Sequence, residues 1–250
     1  MTRATLIYAH RGANREAAEN TRSAFERALH YAIDGMETDI QLSRDGVPVL
    51  WHDRLLGKLG MASRHIDDFD HAQLQQMDFA AHFAGSTHSE GIMSLREFIT
   101  AYRPRTRLLL EIKNRDWEKA DRHASKVRQT LDLLGEVDSA RIQVSSFNLS
   151  SLVYANEYRP GFPLVYNFED DQTLADARRV LAEHPFLHGL CLPIATLDEA
   201  MVQLLRAQGK RVAVYTCNSE AEIGKALQLG VDILISDVPH KALQMRDERH

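Results

Sequence analysis

The sequence predicts a parallel (β/α)8 barrel, the TIM-barrel class of α/β fold, with a small insertion after its second strand. Three observations carry this expectation. Short apolar runs alternate with helical segments from end to end, and counting one hairpin as a single unit gives eight β/α units. Runs such as Leu6-Ile7-Tyr8-Ala9 and Leu108-Leu109-Leu110 are too continuously apolar for a sheet with one wet face, and they suit strands covered on both sides. The length, 250 residues, matches an eight-stranded barrel with few insertions.

The elements follow in order. Leu6–Ala9 is the first strand, and it ends in His10-Arg11-Gly12. Over Asn20–Ala32 the apolar residues Ala24, Phe25, Ala28, Leu29 and Ala32 recur at helical spacing, with Asn20 or Thr21 as the N-cap. Asp45-Gly46 is a hairpin turn between strands at Gly35–Leu42 and Val47–Trp51. Residues 54–90 are polar and rich in His, Asp and Gln, and read as an insertion folded over the barrel mouth with a short helix near Ala72–Met77. Ser94-Leu95-Arg96-Glu97 is a capping box that opens the next helix. Strands are then expected at Leu108–Ile112, Ile142–Ser145, Leu164–Tyr166, Gly189–Leu192, Val212–Tyr215 and Ile233–Ile235. Helices are expected at Trp117–Leu134, Leu149–Tyr158, Thr173–Glu183, Leu197–Gln208 and Ser219–Leu229. Gly209 and Gly230, just past helix ends, fit C-terminal caps. No domain boundary, repeat or low-complexity tract is visible, so residues 1–250 read as a single barrel domain.

Bulk properties narrow the function classes. A hydrophobic content of 44% and a charged content of 26% are those of an ordinary globular protein. The formal net charge of −5 and the lack of a long basic run argue against a nucleic-acid partner. No apolar stretch approaches the ~20 residues of a spanning helix, so stable membrane insertion is not expected. Met1-Thr2-Arg3-Ala4-Thr5 is too polar for the start of a secretory signal, and Cys191 and Cys217 read as reduced core thiols. A cytoplasmic protein is expected; the oligomeric state is left open.

The charged residues at strand ends are the informative ones. Glu37 and Asp39 are two apart, so they project from one face of an extended strand. Two carboxylates on a buried strand are costly unless a cation sits between them. Glu111 and Lys113 share a face in the same way on a later strand. Solvated positions on a half-exposed sheet are the alternative for these acids, but that suits an antiparallel sheet rather than a barrel. Barrel sites are built where these acids fall, at the C-terminal strand ends. Three carboxylates suit a hard divalent cation, magnesium or calcium, better than zinc. His10 and His52 each follow an apolar strand directly and form the candidate proton-transfer pair. His65, His71, His82 and His88 read as solvated loop residues of the insertion. Arg11 and Lys113 are either structural ion partners of the acids or, beside a metal and two histidines, phosphate ligands.

His10-Arg11-Gly12, Glu19-Asn20-Thr21, Glu37-x-Asp39, Asp45-Gly46, His52-Asp53, Glu111-x-Lys113, Tyr215-Thr216-Cys217-Asn218 and Ser236-Asp237-x-Pro239 together resemble the glycerophosphodiester phosphodiesterase family. The match runs from residue 7 to about residue 240, in the family's order. The resemblance implies metal-dependent hydrolysis of small-molecule glycerophosphodiesters to an alcohol and glycerol 3-phosphate. It implies metal ligation by Glu37, Asp39 and Glu111, and acid–base work by His10 and His52. Glu19 and Asn20 would orient His10 or Arg11 from outside the metal's ligand set. Phe147 and Tyr215 follow the fourth and seventh strands and serve either packing or the substrate cavity. Other family members carry a Trp at the Tyr215 position, so the apolar contact here is smaller. The chain also departs from the family after His52-Asp53, reading Arg54-Leu55-Leu56-Gly57-Lys58-Leu59-Gly60, which bears on substrate preference and on the shape of the insertion. Two other classes share these residues. A lysophospholipase D–like enzyme would need an exposed apolar mouth, and a silent binding protein would normally have lost a ligand or a histidine.

Overall fold

The computed structural model describes residues 4–114, 118–136 and 141–249. The expected helix start at Trp117 and the N-terminal residues 1–3 lie outside them. The elements run β1 (Leu6–His10), α1 (Arg22–Leu29), β2 (Gly35–Leu42), β3 (Pro48–Leu50), β4 (Leu55–Leu56), β5 (Met61–His65), α2 (His71–Leu74) and α3 (Leu95–Tyr102). They continue β6 (Arg107–Ile112), α4 (Ala120–Leu134), β7 (Ile142–Ser146), α5 (Leu149–Tyr158), β8 (Leu164–Asn167) and α6 (Leu174–Glu183). Then come β9 (Gly189–Pro193), α7 (Glu199–Ala207), β10 (Arg211–Tyr215), α8 (Glu220–Leu229), β11 (Ile233–Ser236) and α9 (Pro239–Asp247).

Eight of these strands close a parallel ring in the order β1, β2, β6, β7, β8, β9, β10, β11, with β11 pairing back onto β1. β3 pairs antiparallel on the outside of β2, across a turn in which Gly46 sits at φ 80°, a conformation that costs glycine little. The fold is therefore the (β/α)8 barrel that the alternation of elements predicts. Register matters for the site: it sets His10 level with Glu37, and Asp39 level with Glu111.

Apolar residues form two concentric layers. Inside the ring, Tyr8, Leu109, Val165, Cys191, Ala213, Ile233 and Ile235 fill the barrel. Outside it, the helices bury one face each, and the rings of Phe25, Phe98 and Tyr102 stack within 5.3 Å of one another. Thr21, Ser94, Asn148, Thr173, Asp198 and Ser219 accept a backbone N–H at the first turn of their helices. Each such cap contributes about 1 kcal/mol.

The elements settle one open expectation and change two. Of the two N-cap candidates Thr21 caps α1, while Asn20 adopts a left-handed φ of 58°. Helix α9 has no counterpart among the expected helices. Only Pro239, Ala242 and Leu243 are buried along it, too few to leave a helical period in the sequence. The insertion is also more structured than a polar loop with one helix. It holds the β4–β5 hairpin and closes a small core of its own from Val49, Trp51, Leu56, Ile66, Leu74, Phe79 and Ile92.

Candidate active site

A cavity of about 560 Å³, counting space open to solvent, lies at the C-terminal ends of the barrel strands. Its lining is charged or ionisable at His10, Arg11, Glu37, His52, Glu111 and Lys113, mostly apolar at Leu109, Phe147, Cys191, Tyr215 and Ile235, and polar at Ser145, Asn167 and Thr216, with Lys113 Nζ 5.7 Å over the Phe147 ring. No described residue of the 54–90 insertion lines it, so the insertion packs beside the cavity rather than closing it.

The charged side begins with the turn after β1. Gly12 sits at φ 83°, and a Cβ there would lie 2.6 Å from the Ala24 carbonyl carbon, so only glycine lets the chain pass α1 so closely. Arg11 is itself left-handed at φ 56°, a costly conformation for a branched-out side chain and one found mostly where a site demands it. That turn aims the guanidinium at two acids: Nη1 donates to Glu19 Oε2 at 3.1 Å, and Nε lies 3.1 Å from Asp39 Oδ2.

Glu37, Asp39 and Glu111 offer carboxylate oxygens that all lie within 4.8 Å of one another. They are 4%, 0% and 8% exposed, so water does little to relieve their mutual repulsion. Burial, then the neighbouring Asp39 charge, pushes the Glu37 carboxyl well above the usual carboxylate range. Burial works on Asp39 in the same direction, but Arg11 and Lys113 overcome it and hold its carboxyl well below that range. Lys113 Nζ lies 2.6 Å from Glu111 Oε1 and 3.5 Å from Asp39 Oδ1. Among the described residues, Glu37 Oε2 and Asp39 Oδ1 are buried without a hydrogen-bond partner. With Glu111 these oxygens form an all-oxygen donor set that fits a hard divalent cation.

The two histidines are built alike. His10 Nδ1 lies 2.6 Å from Asp237 Oδ1, and its Nε2 lies 3.9 Å from Glu37. His52 Nδ1 lies 2.7 Å from Asp53 Oδ1. In each, a carboxylate takes one ring nitrogen and leaves Nε2 for the cavity. Burial pushes His10 below the ordinary histidine range, and the hydrogen bond to Asp237 opposes this.

Asp237 is the residue whose role sequence reasoning missed. It also accepts from Asn14 Nδ2 at 2.7 Å, Arg15 Nη2 at 3.0 Å and Asn218 Nδ2 at 2.8 Å. The signal was available: in a closed barrel the eighth strand neighbours the first, so the residue after β11 sits beside His10.

The other expected residues fall in or near the cavity, with adjustments. Glu19 holds Arg11, as expected. The Asn20 side chain reaches neither His10 nor Arg11; its Nδ2 donates to Asp39 Oδ2 at 3.0 Å, and only its backbone N–H donates to the Arg11 carbonyl. The rings of Phe147 and Tyr215 meet edge to face at 5.7 Å across the apolar wall, and the Tyr215 hydroxyl donates to the Phe168 carbonyl. Lys126, fully buried on α4, donates to the Lys113 carbonyl at 2.8 Å and to Glu118, tying the end of β6 in place. Burial lowers its ammonium to about 8. Of the four insertion histidines, only His88 is exposed; His65, His71 and His82 are half-buried, and the His82 ring packs against Trp51. Cys191 and Cys217 are free and buried, as expected.

Residues 10–241 match the model of the glycerophosphoryl diester phosphodiesterase family. A glycerophosphodiester phosphodiesterase of Bacillus altitudinis is 30% identical over 98% of this chain and 99% of its own. A phosphodiesterase of Oleispira antarctica, solved in complex with the product sn-glycerol-3-phosphate, superposes with a TM-score of 0.86. It is 28% identical, and the match covers 98% of this chain and 97% of that one. A lysophospholipase D of Mus musculus is 32% identical over 49% of this chain and 39% of its own. Taken with the two histidine–aspartate pairs, the acid triad and the closed barrel, these matches place the chain in the glycerophosphoryl diester phosphodiesterase family.

Proposed function

We propose that the chain hydrolyses glycerophosphodiesters, such as glycerophosphocholine or glycerophosphoethanolamine, to an alcohol and glycerol 3-phosphate. The observation that carries this reading is that two aspartate-backed histidines lie in one cavity with Glu37, whose Oε2 is buried without a hydrogen bond, and that Asp39 Oδ1, beside them, is in the same state. The Oleispira antarctica relative, solved with sn-glycerol-3-phosphate as product, supports the glycerol end of the substrate. Residues 1–250 act in this reading as one barrel domain, with 54–90 as its insertion.

Glu37, Asp39 and Glu111 would hold a magnesium or calcium ion, which when bound supplies Lewis acidity and a template for the phosphate and glycerol oxygens. Arg11 and Lys113 bind the phosphoryl oxygens and offset the charge that builds there. The glycerol 2-hydroxyl attacks phosphorus, and one histidine takes its proton. The bond from phosphorus to the head-group oxygen breaks, and the other histidine protonates the departing alcohol. Water then opens the five-membered cyclic phosphate at the 2-oxygen. His10 fits the base, because burial favours its neutral form and Asp237 leaves its Nε2 as acceptor. His52 then serves as acid. Phe147 and Tyr215 form the apolar wall beside the glycerol or head-group carbons.

Intramolecular attack gains the advantage of a preplaced nucleophile. A 2-deoxyglycerol analogue of glycerophosphoethanolamine is therefore expected to resist cleavage while the natural compound turns over. Rapid cleavage of the analogue would show that water attacks directly. Asp237→Asn is expected to lower kcat about tenfold to a hundredfold, the usual cost of losing a group that orients a site ligand. Steady-state kinetics with an unchanged Tm would check it, and a normal kcat would remove Asp237 from the base.

A lipid substrate of the lysophospholipase D kind would need an apolar mouth. Among the described residues the one large hydrophobic side chain that is exposed is Tyr158, at the last turn of α5 and so away from the cavity end of the barrel. No described helix is long and apolar enough to cross a membrane. The small, water-soluble diester is the better fit.

A further inference from the structure

At the cavity lie two groups of metal-ligating side chains close enough to hold a cation, and the two differ in what neutralises their carboxylates. One is Glu37, Asp39 and Glu111. The other is Glu19, His52 and Asp53. In the second group the chain provides its own cation. Lys58, at the turn between β4 and β5, places Nζ 2.7 Å from Glu19 Oε1 and 3.0 Å from Asp53 Oδ2. It also lies 5.7 Å from the centre of the Trp51 ring, which is itself buried.

The remaining oxygen of each acid is used as well. Glu19 Oε2 accepts from Arg11, and Asp53 Oδ1 takes His52 Nδ1. The result is one unbroken line of ionisable groups: Asp39, Arg11, Glu19, Lys58, Asp53, His52. It joins Asp39 on β2 and the Arg11 guanidinium after β1 to the histidine delivered after β3. Without Lys58 the line breaks in the middle, and two carboxylates face each other with nothing between them.

We propose that Lys58 is a positioning residue for the hydrolysis, holding the His52–Asp53 pair and the Arg11–Glu19 pair at a fixed separation across the cavity rim. This rests on the function proposed above for His52 and Arg11. Lys58 does not line the cavity, so its ammonium acts through Glu19 and Asp53 and not by touching substrate. The insertion has ties besides Lys58: an apolar core shared with Val49, Trp51 and Ile92, Arg44 on Asp70 at 2.7 Å, and the His71 N–H on Asp45 at 2.9 Å. The departure from the family sequence after Asp53 thus falls on a segment that reaches the catalytic groups.

The test is steady-state kinetics on glycerophosphocholine with saturating divalent cation, using wild type, Lys58→Met, Lys58→Arg, Glu19→Gln and the Lys58→Met/Glu19→Gln double variant. Lys58→Met is expected to lower kcat on the order of tenfold while KM stays within about twofold, because misplacing a proton donor harms the transition state rather than ground-state binding. Its Tm should match wild type within about 2 °C, as for an exposed-rim substitution. Lys58→Arg, which can still bridge two carboxylates, should recover most of the loss. The double variant should be no worse than the poorer single one, since both cut the same line. A normal kcat in Lys58→Met overturns the proposal. So does a loss confined to KM, which would make Lys58 a substrate-binding cation. A loss that follows a lowered Tm and is not recovered by arginine overturns it too, leaving only a structural tie. If wild type cleaves no glycerophosphodiester at all, it is the proposed function that fails, before any variant is compared.

Discussion

His10→Ala and His52→Ala are each expected to lower kcat by roughly two to four orders of magnitude, the range for losing a positioned general acid or base. The fold should survive both. His10 ends β1 and His52 follows β3, and neither belongs to the apolar layers inside or outside the barrel. Each imidazole leaves behind an aspartate that keeps other partners: Asp237 retains Asn14, Arg15 and Asn218, and Asp53 retains Lys58. Because the two rings serve the same turnover at opposite ends of the broken bond, the double variant should lose less than the product of the single losses. Kinetics at saturating substrate, with Tm measured alongside, decide it. A well-folded His52→Ala enzyme with near-normal kcat would sink the two-histidine scheme.

The two histidine pairs also show where reading the chain stops. His10 and His52 stood out because each directly follows an apolar strand, and Glu37 with Asp39 and Glu111 with Lys113 because each pair shares one face of a strand that should be buried. The barrel was legible because eight runs alternate with helical segments. Asp237 was not assigned a role, since 227 residues separate it from His10 and only ring closure brings β11 beside β1. Lys58 was hidden for a related reason. It sits in a polar insertion whose local sequence carries no strong period, and its two partners come from separate loops. Asn20 differs in its partner: expected to orient His10 or Arg11, it has a left-handed backbone and its amide donates to Asp39 instead. Asp237 thus depends on closure of the ring, while Lys58 and Asn20 depend on contacts between segments that meet at the strand ends, and no local pattern encodes either.

The second large effect concerns Glu37, and it has opposite signs on stability and on activity. In the cation-free protein Glu37 is 4% exposed, crowded by Asp39, and has one oxygen with no hydrogen-bond partner among the described residues. Holding a charge there costs stability, so Glu37→Gln is expected to raise the Tm of the cation-free protein. The gain should be roughly 0.5–2 kcal/mol, the size usual when a strained functional residue is relieved. Asp39 would not behave this way, because Arg11, Lys113 and Asn20 all lean on its charge. Asp39→Asn should instead destabilise the protein, because Arg11 and Lys113 lose a buried countercharge and keep only Glu19 and Glu111. Adding magnesium or calcium to wild type should stabilise the fold by mass action, by about 2.7 kcal/mol at a hundredfold excess over Kd, and so raise its Tm. Glu37→Gln should lose most of that response, and its turnover should fall to the level of wild type in excess chelator. Thermal unfolding and kinetics in matched chelated and cation-loaded buffers separate the two effects. If Glu37→Gln lowers the cation-free Tm, the carboxylate is held by the protein alone; if turnover survives exhaustive chelation, the acid triad does not serve a cation in this reaction.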